Sequence, residues 1–211
     1  QEGTTATAKH PPPPQIEIAV KFAEFRLREK DRLGFEMNVD SLFDDPESSR
    51  AYEMAVSDPT RASEILDLLS QTFDVKVLAA PNLVTVSGVT GEIFLGQTIP
   101  YVSLFDASTG KREIENLDIG VRIDVKPNVI EENRIEVYFA PAETKALDES
   151  DFPANPVSGV PPLSVKSARL RFRMNDGQTM VIAPLWRRKT ENPGETQETW
   201  AFVNARIVVE P

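Results

Sequence analysis

The stretch Gly91-Glu92-Ile93-Phe94-Leu95-Gly96-Gln97-Thr98 reads GEIFLGQT, and two folds compete for it. Read for its glycines, it falls one residue short of a phosphate-binding loop: Gly91 and Gly96 are followed by Thr98, but Gln97 stands where G-x-x-x-x-G-K-[ST] requires lysine. Such a loop needs a strand before the glycines and a helix after them, because backbone N–H groups at the helix N-terminus hold the phosphates. Here the glycines flank an apolar run, and Ile99-Pro100-Tyr101-Val102 continues extended. Glu92 would also set a negative charge inside the phosphate nest. The stretch is therefore read as a β-strand, and nucleotide binding is set aside.

Working outward, most of the chain shows the same period of two. Ile16, Ile18, Val20 and Phe22 alternate with Glu17, Ala19 and Lys21; the phase then slips, with Phe25 and Leu27 on odd numbers. A one-residue slip turns the apolar set to the opposite face, which predicts a bulge near Ala23-Glu24. Residues 34–39 read as a second strand, and 40–57, acidic and turn-rich, as a loop. Asp58-Pro59-Thr60 is a helix start, with Asp58 as N-cap and Pro59 at the first helical position. Ala62, Ile65, Leu66, Leu69 and Phe73 follow at helical spacing, giving one amphipathic helix.

Short strands then follow at 75–78, 83–86 and 92–95, the last two read as a hairpin turning at Gly88 to Gly91. Further alternations centre on Ile119–Val125, Ile135–Phe139 and Leu170–Met174, with Asn175-Asp176-Gly177-Gln178 turning the last back into Met180-Val181-Ile182; Phe202–Val209 closes the chain. Residues 140–166 read as a long Pro-rich loop with acids at Asp148, Glu149 and Asp151. Residues 1–14 end in four consecutive prolines and read as a flexible tail with a polyproline spacer, leaving 15–211 as one β-rich domain.

The totals restrict function. Twenty-three Lys plus Arg against 33 Asp plus Glu leave a net charge of -10, which repels a phosphate backbone, so nucleic acid is not an expected partner. The basic run Trp186-Arg187-Arg188-Lys189 reads as a solvated turn. With no cysteine, thiol catalysis, disulfides and thiolate metal sites are excluded. The one histidine, His10, lies in the tail, where no triad can position it. The acids at 148–151 lack the glycine-centred spacing of a calcium loop. No catalytic residue, cofactor or metal is expected; a β-rich hydrolase would rest on carboxylates that stand in no motif.

Five segments in order resemble the core domain of the secretins, the outer-membrane ring proteins of type II and type III secretion and of type IV pili. Gln15–Phe25 resembles the strand that opens that core. Val77-Leu78-Ala79-Ala80-Pro81-Asn82-Leu83-Val84-Thr85 resembles "L-S-x-P-x-hydrophobic-x-T". Ile93-Phe94-Leu95-Gly96-Gln97-Thr98-Ile99-Pro100-Tyr101 is similar to "I-x-V-G-x-x-I-P-Y", and Ile119-Gly120-Val121-Arg122-Ile123-Asp124-Val125-Lys126-Pro127-Asn128-Val129 to "V-G-x-x-L-x-V-x-P-x-I". Asp176-Gly177-Gln178-Thr179-Met180-Val181-Ile182-Ala183-Pro184-Leu185 is similar to "D-G-Q-T-h-h-I-G-G-L", with Ala183-Pro184 in place of two glycines.

The resemblance implies a mainly β fold with one α-helix (α+β), antiparallel sheets in a secretin-like core, or a β-sandwich in the isolated chain. It implies a reduced core: the family's ring-building domains before it are replaced by the tail, and the gate-supplying insertion between Tyr101 and Ile119 is short. It further implies a non-enzymatic structural role in the Gram-negative envelope, with a homo-oligomer and other pilus or secretion-apparatus proteins as partners. The structural residues it singles out are Pro81, Gly96, Pro100, Gly120, Pro127, Asp176 and Gly177, as placing turns and strand ends. With three tyrosines and two tryptophans, aromatic girdles would be sparse, so membrane insertion is not expected on this count. The alternative is a β-sandwich accessory of a pilus that never forms a pore.

Overall fold

The computed structural model describes residues 12–29, 53–106, 108–147 and 163–208. In chain order the elements are β1 (Gln15–Arg28), β2 (Glu53–Ser57), α1 (Pro59–Thr72), β3 (Asp74–Ala79), β4 (Asn82–Val86), β5 (Gly91–Asp106), β6 (Lys111–Glu131), β7 (Arg134–Ala146), β8 (Leu163–Ser167), β9 (Leu170–Asn175), β10 (Thr179–Lys189) and β11 (Glu195–Val208). A six-stranded sheet runs β2-β10-β11-β1-β3, with β4 also on β1; a five-stranded sheet runs β5-β6-β7-β8, with β9 also on β7. All pairings among the described residues are antiparallel, and α1 is the one helix element among them, so the mainly β fold stands.

Strand β1 organises both cores. It pairs with β11 without a break, from Gln15 opposite Val208 to Arg28 opposite Glu195, so its side chains alternate throughout. Ile16, Ile18, Val20 and Phe22 face the second sheet and meet Ile123, Val125, Ile135, Val137 and Phe139. Ala23, Phe25 and Leu27 face the other way, onto Ala62, Ile65, Leu66 and Leu69 of α1, with Trp200 and Phe202 beside them. The phase change near Ala23 is thus a change in which face is covered. A register shift does lie there, but on the neighbouring strand: Phe22 opposes Ala79 and Ala23 opposes Val77, leaving Leu78 as the extra residue of β3. Each buried Val, Leu, Ile or Phe among these contributes about 1.5–3 kcal/mol by leaving water, which is why the two patches decide the layering.

Helix α1 begins as its sequence requires. The Asp58 carboxylate accepts from the Arg61 N–H at 2.8 Å, and Pro59 occupies the first position. It ends where Phe73 turns extended and donates its N–H to Leu69 at 2.8 Å.

Both supposed hairpins are corners between sheets. β4 pairs with β1 in the first sheet while β5 pairs with β6 in the second, and β9 and β10 are divided the same way. Each corner uses a glycine at positive φ (Gly88 at 82°, Gly177 at 77°) whose N–H reaches a strand of the sheet the other flank has joined. Gly88 donates to the Pro127 carbonyl at 2.7 Å, and Gly177 to the Ala205 carbonyl at 2.9 Å. The corners clip the sandwich shut.

Three further readings change. Residues 53–57 are strand β2, paired with β10, and not loop; the predicted strand at 34–39 and the rest of 40–52 lie outside the described residues. Of the predicted loop at 140–166, residues 140–146 belong to β7 and 163–166 to β8, and residues 148–162, with the acids at 148–151, lie outside the described residues. Trp186–Lys189 is strand, with Arg187 donating to buried Glu198 at 2.7 Å and Arg188 to Gln197. The Ala183–Pro184 peptide is cis, and the β10–β11 register shifts between Ile182 and Trp186. Most of the proline tail lies outside the described residues; Pro14 accepts from the Ser87 N–H at 2.9 Å.

Candidate functional site

The feature that stands apart from both cores is the β5–β6 hairpin. Its pairing runs from Gly91 opposite Val125 at the base to Asp106 opposite Lys111 at the tip, with one register shift between Val102 and Leu104. The sequence reading set strands at 92–95 and from Ile119, with 99–102 extended; the structure makes these two long strands, β5 running unbroken to Asp106 and β6 starting at Lys111.

The hairpin has two unlike faces. On one, Ile93 opposes Ile123, Leu95 opposes Val121, Gln97 opposes Ile119 and Ile99 opposes Leu117. At the base this face joins the inter-sheet core through Ile123, Ile93 and Val121. Farther out the same apolar face emerges uncovered, with Leu95 at 41% and Ile99 at 40% exposure. Ten-residue alternation is therefore present in β5 and β6, though Tyr101 is the only tyrosine or tryptophan in the two strands.

The other face carries Glu92 opposite Asp124, Phe94 opposite Arg122, Gly96 opposite Gly120, Thr98 opposite Asp118 and Pro100 opposite Asn116. Arg122 reaches Glu92 and Asp118, each at 2.5 Å, and lies 5.3 Å from the centre of the Phe94 ring. Thr98 donates to Asp118 at 2.7 Å. Nearer the tip, on the face of Ile99 and Leu117, the Tyr101 hydroxyl donates to Glu115 at 2.9 Å, and this bond to an acceptor carboxylate pushes the phenol above its ordinary value.

At Gly96 and Gly120 the facing backbone leaves no room for a side chain. A Cβ on Gly96 would lie 2.1 Å from the Ile119 carbonyl oxygen, and one on Gly120, at φ 143°, would lie 2.3 Å from that of Leu95. No other residue type fits either position.

The residues singled out from the sequence do not converge on a pocket. Gly96, Pro100, Gly120 and Pro127 lie inside strands, not at turns or strand ends. Pro81 sits at the break between β3 and β4, where its carbonyl accepts from Val20 at 2.9 Å. Asp176 and Gly177 do form a turn, and the Asp176 carboxylate accepts from the Ile207 N–H at 2.7 Å. Sequence reasoning missed Glu92, Phe94, Asp118 and Arg122. The available signal was Phe94-x-Gly96 and Gly120-x-Arg122, equally spaced about glycines that face each other.

Among the described residues strand β5 is one edge of its sheet; β8 and β9, both on the far side of β7, form the other. Along the latter edge Glu143, buried, lies between Lys145 at 2.7 Å and Lys166 at 3.7 Å. Among the described residues no cluster of three or more His, Cys, Asp or Glu could hold a metal ion, and no helix is long and apolar enough to cross a membrane.

The profile of the Secretin family, described as bacterial type II and III secretion system protein, matches residues 68–197. The fimbrial assembly protein PilQ of Pseudomonas aeruginosa is 28% identical over 122 residues, which are 56% of this chain and 16% of that protein. The uncharacterized protein y4xJ of Sinorhizobium fredii is 28% identical over 136 residues, 64% of this chain and 31% of that protein. The chain thus spans about a sixth and a third of these two relatives. Among solved structures, the Klebsiella pneumoniae type II secretion system outer membrane complex of PulD, PulS and the PulC HR domain superposes with a TM-score of 0.53 at 13% identity. That match covers 94% of this chain and 41% of the other, and it speaks for the fold.

Proposed function

The chain belongs to the secretin family, and we propose that it is a structural subunit of a type IV pilus or type II/III-like secretion apparatus that acts by assembling with further copies of itself. The observation that carries this is the pair of edges, β5 and β8, that the second sheet presents among the described residues. The path β5-β6-β7-β8 holds four strands, each antiparallel to the next. β8 of one copy placed beside β5 of the next therefore continues the antiparallel order, and repetition around an axis leaves no edge unpaired. The uncovered apolar face of the hairpin supports burial on assembly. In this reading Gly96, Pro100, Gly120, Pro127, Asp176, Gly177 and Pro81 are structural residues that shape the strands and corners. The partners are other copies and further components of the apparatus, in the Gram-negative envelope.

Because the chain has no cysteine, the edge pairing can be tested by placed thiols. Ser164 opposes Lys145, one residue from Thr144, which opposes Gly120; Gly120 in turn opposes Gly96, beside Gln97. Gln97 and Ser164 thus lie at one level on the two outer edges. A mixture of the Gln97→Cys and Ser164→Cys chains should form a disulfide-linked dimer under mild oxidation, while neither variant alone does so. Neighbouring positions on β8 should be scanned too, because a closing sheet staggers its register. Absence of heterotypic linkage across the whole scan would rule out this edge pairing.

A further inference from the structure

We infer that Arg122 is a positioning residue that fixes the pose of the outer half of the β5–β6 hairpin, by clamping the Phe94 ring over the notch left by Gly96 and Gly120. The pair of glycines leaves a step in the hairpin with no side chain on either strand, so no cross-strand pair supports it there. Glycine is also the residue least able to hold a backbone direction by itself. The notch is not empty. A Cβ on Gly96 would lie 2.8 Å from Cζ of Phe94, so the ring already lies over that glycine. An aromatic ring laid on a strand glycine restores packing that the glycine lacks.

The Arg122 guanidinium sits on that ring, 5.3 Å from its centre, as a cation–π contact. Its two ion pairs lie on opposite sides of the notch. Glu92, like Phe94 and Arg122 itself, is on the core side of the glycines; Asp118 is on the tip side, four residues along β6 from Arg122 and across Gly120. Asp118 is tied in turn to Thr98 on β5, also on the tip side. The chain Glu92–Arg122–Asp118–Thr98 therefore bridges the glycine step, with the ring beneath it. From Gly120 to Lys111 at the tip are nine residues, a lever of about 30 Å at strand rise, so each ten degrees of bend at the notch moves the tip by about 5 Å.

The readout is the distance from the hairpin tip to the body of the protein. Spin labels at Lys111→Cys on the tip and Gln71→Cys on α1 can be introduced without background thiols, and the labelled chain diluted with unlabelled chain so that only distances within one copy are read. Against this parent, Arg122→Gln and Asp118→Asn should each shift or broaden the distance distribution by about 5 Å or more, and Phe94→Ala should do the same. Arg134→Gln, which removes an ion pair of the same kind to Glu131 at 3.6 Å, should leave it unchanged. Raising salt to about 1 M, where screening acts within about 3 Å, should broaden the parent and leave Arg122→Gln where it is. Parent-like distributions in both Arg122→Gln and Asp118→Asn, or equal broadening in Arg134→Gln, would overturn the inference. If Arg122→Gln fails to fold, Asp118→Asn cuts the same bridge from the tip side. The result does not depend on ring assembly, which is read separately from mass and cross-linking.

Discussion

Replacing Gly120 by alanine should open the outer half of the hairpin while leaving both cores folded. The new Cβ would lie 2.3 Å from the Leu95 carbonyl oxygen and 2.6 Å from the Gly96 Cα, both backbone atoms that no rotamer change can move aside. Overpacking of this kind costs about 1–3 kcal/mol. The φ of 143° adds strain of order 1–3 kcal/mol for any residue with a side chain. Against this stand the six cross-strand pairs between the glycines and the register shift, from Gln97 opposite Ile119 to Val102 opposite Ile114. At about 0.2–1 kcal/mol each they supply roughly 1–6 kcal/mol, so strain and support are comparable. The inner residues Ile123 and Val125 are buried and held from both sides, and should not yield. Hydrogen exchange by mass spectrometry should therefore show amides of 97–118 losing protection by about 100-fold for about 3 kcal/mol, with 123–129 and 135–139 unchanged. Gly110→Ala provides the comparison: its φ is 71° but nothing lies within 4 Å, so only about 1 kcal/mol of backbone strain remains. Parent-like exchange in 97–118, or equal loss across the cores, would refute the reasoning.

Other consequences can be checked alongside. Trp200→Ala removes a side chain at 1% exposure packed 4.6 Å from the Phe25 ring, and should cost about 4 kcal/mol in urea unfolding; a loss below about 1 kcal/mol would mean α1 is not held by this core. Asp58→Ala should cost about 1 kcal/mol by freeing the N–H of Arg61, and Asp58→Ser should restore most of it. Glu115→Gln should bring the Tyr101 phenol back down toward its ordinary value in a phenolate absorbance titration. The sign follows from the raised value: the hydrogen bond favours the neutral phenol, so its contribution is complete below the unfolded value and lost as pH rises through the folded one. An unchanged titration would place the cause elsewhere.

Local pattern was legible in the sequence wherever one face of an element is buried. The helix from Asp58, the alternation of 16–22 and the strand at 135–139 all follow from apolar spacing, because burial selects it. What period-two reading cannot carry is which sheet a strand joins. Gly88 and Gly177 look like hairpin turns by composition, yet their N–H groups bond across to the other sheet, a long-range contact with no local signature. The slip at Ala23 was visible, but alternation alone does not distinguish an extra residue from a strand covered on opposite faces at its two ends. The outer hairpin was missed because residues 108–116 are exposed, so burial selects no apolar stripe there for the sequence to show. Gly96 and Gly120 were recognised in ordered motifs, whereas their direct apposition, and the Phe94–Arg122 contact beside it, depend on register.

The central claim is assembly of the chain with copies of itself. The most direct test is the mass of the purified protein by native mass spectrometry, with co-flotation on liposomes measured on the same preparation. The account predicts a closed ring of many subunits that survives detergent, and flotation would add that the ring inserts. A monomer or small open oligomer at every concentration tried, remaining with the soluble fraction, would contradict it and leave the accessory reading.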